Sequence, residues 1–444
     1  MADPRPSGSD PPPAPGRRGP GRLFARFWAA HTSSNLADGI MLTALPLLAV
    51  AITTDPLAVA GLTAVWYLPW LLFGLHVGAL VDRIDQRVAM VAANAVRGGC
   101  LAALTLLTLL GVRSVWLLYA AMFVAMTCEV VYDTAGRTLL PRIVPRPELR
   151  RANGRLEGGR IVTEDVLGGP VASLLFAVAA AIPLALNAGA YIVGAALVLA
   201  LPLRPRRGGP PSHSGPPRPP PSRASSLTRE ALDGLRYIWS DRVQRGMALC
   251  AAAGSLAAGA LNAILVLFVT QTLGVPIALY GAYMAVSAVG ALIGAAVCDR
   301  LTRRYGAARV LVATHLGLAS VLAALALAPG VRLGALAVGA LGLAMTIINV
   351  VIISLLQTVT PEGVMGRAMA SRRLLAKAAG PVGALAGGAL GRIGLEIPFL
   401  FAAVALAAIP LAFHRTFRLA AARAAAAESA PAARGPDPPD APSA

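Results

Sequence analysis

Twelve runs of predominantly apolar residues, each close to the length of a membrane span and separated by short polar connectors, constrain this chain more than any other feature. A helix rising about 1.5 Å per residue needs roughly 20 apolar residues to cross the ~30 Å hydrocarbon core of a bilayer. In lipid only helices and closed barrels satisfy their own backbone hydrogen bonds. The runs fall near 27–52, 57–80, 88–111, 115–136, 153–178 and 182–203, and again near 246–271, 277–299, 309–329, 333–356, 371–391 and 396–413. With 56% of 444 residues hydrophobic and 14% charged, a soluble fold lacks the polar residues to cover its surface. The expectation is an all-α integral membrane protein with twelve transmembrane helices in two pseudo-symmetric six-helix bundles.

Composition divides the chain between those bundles. Residues 204–226 are crowded with Pro, Gly, Ser and Arg, which cannot bury a core and read as a flexible linker. Beyond it, Leu227 to Trp239 places apolar side chains at helical spacing, predicting an amphipathic helix on the membrane surface. The expected organisation is a disordered cytoplasmic tail over 1–22, a six-helix bundle over 23–203, a cytoplasmic linker with its helix over 204–245, a second bundle over 246–414, and a mostly disordered cytoplasmic tail over 415–444. Met1 to Gly21 lacks the short apolar core of a signal peptide.

The formal charge of +18 is carried almost wholly by arginine, Lys377 being the one lysine. The arginines collect in alternate connectors: Arg83 and Arg87, the group from Arg137 to Arg151, the linker, Arg300 to Arg309, and Arg367, Arg372 and Arg373. The intervening connectors hold little beyond Asp55, Arg113, Arg332, Arg392 and Glu396. Such alternation encodes topology and predicts both termini and the linker in the cytoplasm of a multi-pass cell (inner) membrane protein. It also argues against nucleic acid as a partner. Cys100, Cys128, Cys250 and Cys298 sit in or beside apolar runs without metal or disulfide spacing, so neither metal nor cofactor is expected.

The halves repeat each other. Gly78-Ala-Leu-Val-Asp82-Arg83-Ile-Asp-Gln-Arg87 follows the second run, and Ala295-Ala-Val-Cys-Asp299-Arg300-Leu-Thr-Arg303-Arg304 follows the eighth. Gly169-Pro170-Val-Ala-Ser in the fifth run returns as Gly380-Pro381-Val-Gly-Ala in the eleventh. Duplication of this kind marks transporters whose substrate lies between the halves. These residues resemble the major facilitator superfamily over roughly residues 23 to 414. Phe27 to Asp38, Asp82 to Arg87 and Leu140 to Asn153 are similar to its enterobactin-exporter and macrolide-efflux branch. The resemblance implies export of amphipathic natural products by proton antiport, with Asp82, Arg83, Arg87, Asp299, Arg300, Gly169 and Pro170 as conformational motifs. Asp85 departs from the glycine that the wider superfamily prefers.

Ionisable groups near mid-membrane are costly and are either paired or functional. Asp38 and Arg97 fall near mid-depth, as do Glu164 and Asp165, while Glu129 and Asp133 lie one turn apart on the fourth run. Asp38 is the first candidate for proton coupling, and a permanent Asp38–Arg97 pair is the structural alternative. Glu129 reads as shallower. Arg160 and Glu164 are spaced to pair, leaving Asp165 without that partner, and Asp133 is expected to join Asp82, Arg83 and Arg87 in a charge network. No carboxylate lies well inside runs seven to twelve. Asn35, Trp66, Trp70, Asn262 and Asn349 are candidate cavity residues, with Tyr67, His315 and Gln357 beside them. Embedded acids outnumber bases in the first half, favouring neutral or cationic amphipaths.

The function these features predict is a monomeric secondary exporter of small amphipathic molecules, with membrane lipid and protons as partners. A lipid or lysolipid flippase of the same fold is the second transporter reading, and a polytopic receptor or enzyme the reading from another class. No HExxH, GxSxG or GxxxxGK[ST] pattern supports an enzyme or an ATP-driven pump.

Overall fold

The computed structural model describes residues 21–74, 76–81, 83–201 and 225–429. The predicted tail over 1–22 (all but its last two residues), Asp82, most of the linker and residues 430–444 lie outside the described residues. Among the described residues there is no strand, and twelve helices are long and apolar enough to span a membrane. They are Arg22–Ile52, Pro56–Phe73, Gln86–Leu109, Val115–Ile143, Arg146–Val178, Ala181–Leu199, Arg242–Thr272, Ile277–Tyr305, Ala307–Leu327, Val331–Val359, Gly363–Gly391 and Ile397–Ala426, here called the first to twelfth spans. A short helix, His76–Val81, follows the second.

Several spans are started by side chains that accept the first free N–H groups of the helix. Asp55 accepts from Leu57 N–H at 3.1 Å, with Pro56 at the first helical position. Asp241 accepts from Val243 and Gln244 at 2.8 and 2.9 Å. Asp85 does the same for the third span, accepting from Arg87 and Val88 at 2.9 and 3.2 Å. The residue that departs from the superfamily's glycine is therefore a helix cap.

The two halves pack by one plan. In the first half the first span lies against the fifth and sixth, the second against the fourth, and the third against the fourth and sixth. In the second half the seventh lies against the eleventh and twelfth, the eighth against the tenth, and the ninth against the tenth and twelfth. With no hydrophobic drive between helices in lipid, close packing must hold such pairs together. Equivalent glycines supply it. A Cβ on Gly39 of the first span would strike the backbone of Glu164 in the fifth, and one on Gly259 of the seventh would strike the Gly380 carbonyl in the eleventh. Large side chains left exposed, such as Leu106, Val178, Val404 and Leu411, form the face that lipid covers.

Three elements differ from the sequence expectation. The predicted tail from residue 415 is helical to Ser429, continuous with the twelfth span, because Phe417 and Ala420 are fully buried and Arg423 bridges Asp241 at 2.7 Å. The linker helix, Ser225–Ser240, packs on the eleventh and seventh spans as well as presenting an outer face: Gly234 abuts Arg367 and Ser371, and Ile238 is buried. The eleventh helix begins at Glu362, so Arg372 and Arg373 belong to the span and not to its connector.

Candidate functional site

At the centre of the first half a single guanidinium organises four helices. Arg97 of the third span is completely buried; its Nη2 donates to Asp38 Oδ1 of the first span at 2.7 Å and also to Glu129 Oε2 of the fourth. Its Nε donates to the Ala125 carbonyl at 3.1 Å and its Nη1 to Asn94 Oδ1 at 3.4 Å. Tyr191 of the sixth span donates its hydroxyl to the same Asp38 oxygen at 2.7 Å and lies with its ring 4.5 Å from the guanidinium carbon. Asn94 donates onward to Ser34 Oγ at 2.7 Å. The Asp38–Arg97 pair of the sequence reading is thus present with a second carboxylate in it. The Asp38 side chain is 6% exposed and that of Glu129 23%, so Glu129 is the more accessible of the two acids. One cation faces two acids, and such a cluster is neutral only when one of them carries a proton.

A second cluster belongs to the fifth span. Arg160 lies 2.9 Å from Glu157, 3.2 Å from Glu164 and 3.4 Å from Asp165. The expectation that Asp165 lacks this partner is corrected by local geometry: Ile161–Gly168 forms a π-helix, whose wider turn brings the fifth residue onward to the face that the fourth alone occupies in an α-helix. Pro170 follows, without an N–H for the regular ladder.

Asp82, a member of the expected charge network around the connectors, lies outside the described residues, and the described members make other contacts as well. Asp133 pairs with Arg137 on its own helix at 3.0 Å, while Arg87 donates to the carbonyls of Val198 and Leu199 at the end of the sixth span. Arg83 and Arg300 are exposed, and Asp299 pairs with Arg303 at 2.6 Å. Arg142 instead reaches Gln86 at 2.8 Å across the third and fourth spans.

The halves meet from mid-depth to the end opposite the arginine-rich connectors. Gly169 and Gly281 bring the fifth and eighth spans into backbone contact, and the Gly281 N–H donates to Ser173 Oγ at 3.0 Å. Tyr67 lies over Gly380, and Lys377 sits 4.4 Å from the Trp70 ring, which is therefore part of this junction; Trp66 packs edge-on against Tyr67. At the very end, Arg392 donates to both carboxylate oxygens of Asp55 at 2.8 and 2.6 Å. Those bonds hold the Asp55 carboxyl below its ordinary value of 3.8.

In the second half a cavity of about 450 Å³ opens among the seventh, ninth, tenth, eleventh and twelfth spans, lined by Asn349, Ser255, His315, Arg372 and Arg373 among apolar side chains. Asn35 is half-buried and Asn262 exposed. The sequence reading missed Tyr191, Asn94 and Ser34, whose signal was a polar side chain within an apolar run. It also missed Arg372, assigned to a connector.

A sequence profile described as Major Facilitator Superfamily matches residues 27–384 and 247–439. The multidrug efflux pump Tap of Mycobacterium bovis is 27% identical over 391 residues, covering 85% of this chain and 88% of its own. Macrolide efflux protein A of Streptococcus pyogenes is 23% identical over 155 residues, 35% of this chain and 38% of its own. In fold, a bacterial homologue of the iron transporter ferroportin, in an inward-facing state, superposes with a TM-score of 0.67 at 18% identity over 90% of this chain and 98% of its own. The chain belongs to the major facilitator superfamily, a multi-pass membrane transporter with efflux pumps among its relatives.

Proposed function

We propose that this protein exports small amphipathic molecules, of the drug, antibiotic or siderophore-like kind, by alternating access coupled to inward proton movement. The observation that carries the reading is the buried triad of Asp38, Arg97 and Glu129, in which one guanidinium serves two carboxylates and Glu129 is the more accessible of them. A net charge in the bilayer interior is expensive, so a proton on Glu129 neutralises the cluster, and its departure leaves a charge that a cationic substrate group or a change of conformation must relieve. The arginine-rich connectors support a cytoplasmic placement of both termini, in the inner membrane. With that orientation the Asp55–Arg392 junction closes the outer side.

The test uses proteoliposomes with an imposed pH gradient. Glu129→Gln, which mimics the protonated acid, is expected to fold and bind substrate but to lose gradient-driven export. Asp38→Asn is expected to weaken coupling less, because Asp38 is sealed from water and shares its oxygen with Tyr191. Full gradient-driven export by Glu129→Gln would remove the triad from the coupling mechanism.

A further inference from the structure

Among the described residues, the second half holds a cation with no counter-ion. Arg372 Nη1 is shielded from solvent and has no hydrogen-bond partner, and its Nη2 meets only the Met369 thioether at 3.4 Å, a weak acceptor. Arg373 lines the same cavity, and no acidic side chain does. The contrast with Arg97, which has two carboxylates, is sharp. Arg372 lies ten residues inside a helix starting at Glu362, about 15 Å along it at the usual rise, and Asn349 lies equally far from the end of the tenth span. A water molecule satisfies an N–H but cannot neutralise a guanidinium, and leaving one half-buried and unpaired carries a cost. A planar fork of donors beside Asn349, Ser255 and His315, in a cavity of small-molecule size, fits the oxygens of a phosphate, sulfate or carboxylate.

We propose that this cavity is an anion subsite, in which Arg372, assisted by Arg373, binds the anionic head of an amphipath whose apolar part lies against Met345 and Ile348. The inference rests on the transporter reading above and refines its substrate class: an acidic first half and a basic second half together suit zwitterionic or anionic amphipaths, not the neutral and cationic ones that the first half alone favours. The same chemistry serves a transported molecule and a bilayer phospholipid headgroup.

The experiment measures binding to the purified full-length protein in phosphatidylcholine nanodiscs, with decyl phosphate and decyltrimethylammonium as probes. Arg372→Gln is expected to weaken decyl phosphate by about tenfold or more, the loss of one charge-assisted hydrogen bond, and to leave decyltrimethylammonium within about twofold. Arg372→Lys, which keeps the charge and loses the fork, should fall between. Thermal unfolding of each variant without probe shows whether it is folded, and decyl phosphate should raise the unfolding temperature of the parent protein but not of Arg372→Gln. Phosphatidylglycerol in the nanodiscs that competes with decyl phosphate in the parent protein alone identifies the lipid headgroup as occupant; no competition identifies the transported amphipath. Equal decyl phosphate affinity in the parent and Arg372→Gln proteins would overturn the subsite. So would an Arg372→Gln effect confined to disulfide trapping of an Asp55→Cys/Arg392→Cys pair, which would make the arginine a partner of the opposite half. Glu129→Gln should leave decyl phosphate binding intact, so failure of the coupling reading and failure of this one give different results.

Discussion

Arg97 makes three polar contacts besides its bond to Asp38, and this changes what single substitutions should do. Replacing it with Gln leaves Asp38 and Glu129 facing each other without a cation, a loss expected near 3–5 kcal/mol, or roughly the full stability of a marginal bundle. The Asp38→Asn/Arg97→Gln double variant should recover only part of it, because Glu129 still lacks its partner; adding Glu129→Gln should recover most of the rest. Thermal unfolding in nanodiscs checks the series, and complete recovery in the double variant would mean that Glu129 is no member of the cluster. Asp38 and Arg97 were legible from sequence because depth alone marks a charge inside an apolar run. Glu129 was misjudged as shallow because the apolar run ends near 136 while the helix continues to Ile143. Tyr191 gave no such warning, since tyrosine is at home in membrane helices and only the fold brings its hydroxyl to Asp38.

The fifth span shows how a local irregularity positions chemistry. Its π-helical stretch over Ile161–Gly168 puts Glu164 and Asp165 on one arginine, and the Gly169 step that follows lets the eighth span approach to backbone contact. A Cβ at Gly281 would collide with the Gly169 carbonyl and Pro170 N, so Gly281→Ala should push the halves apart at this junction. Disulfide trapping of an Asp55→Cys/Arg392→Cys pair is expected to fall several-fold in that background while membrane insertion is unchanged; unaltered trapping would show that the contact does not govern closure. Glycine and proline at matching places in the two halves were readable as motifs, and the number and order of spans followed from apolar periodicity. The π-turn was not readable, because a run of eight residues in either helical form has the same hydropathy. Helix extensions past the apolar runs were lost for the same reason: Arg142, Arg372 and Phe417 lie where hydropathy stops but hydrogen bonding continues.

For the whole molecule, the Asp55–Arg392 pair makes closure of one end an electrostatic matter. Asp55→Arg should favour the alternative conformation, and Asp55→Arg/Arg392→Asp should restore the original one; cysteine accessibility at Tyr67 and Trp70 positions reads the balance. Equal accessibility in all three proteins would leave closure to packing alone. The pH dependence has a definite sign. Because Arg392 lowers the Asp55 carboxyl below 3.8 in the joined state, the pair contributes fully above that value and is lost as pH falls through the lowered one. Between about pH 5 and 8 the junction is constant, so proton sensitivity of transport in that range must come from groups elsewhere. The two members are 54% and 35% exposed, which has a further consequence. Dissolved ions screen such a pair over a Debye length of about 8 Å at physiological ionic strength and about 3 Å at 1 M, whereas Arg97 and Asp38, 0% and 6% exposed, are shielded from them. In the transport cycle proposed above, electrolyte on that side of the membrane thus becomes an input, loosening the Asp55–Arg392 closure in brine and tightening it in fresh water.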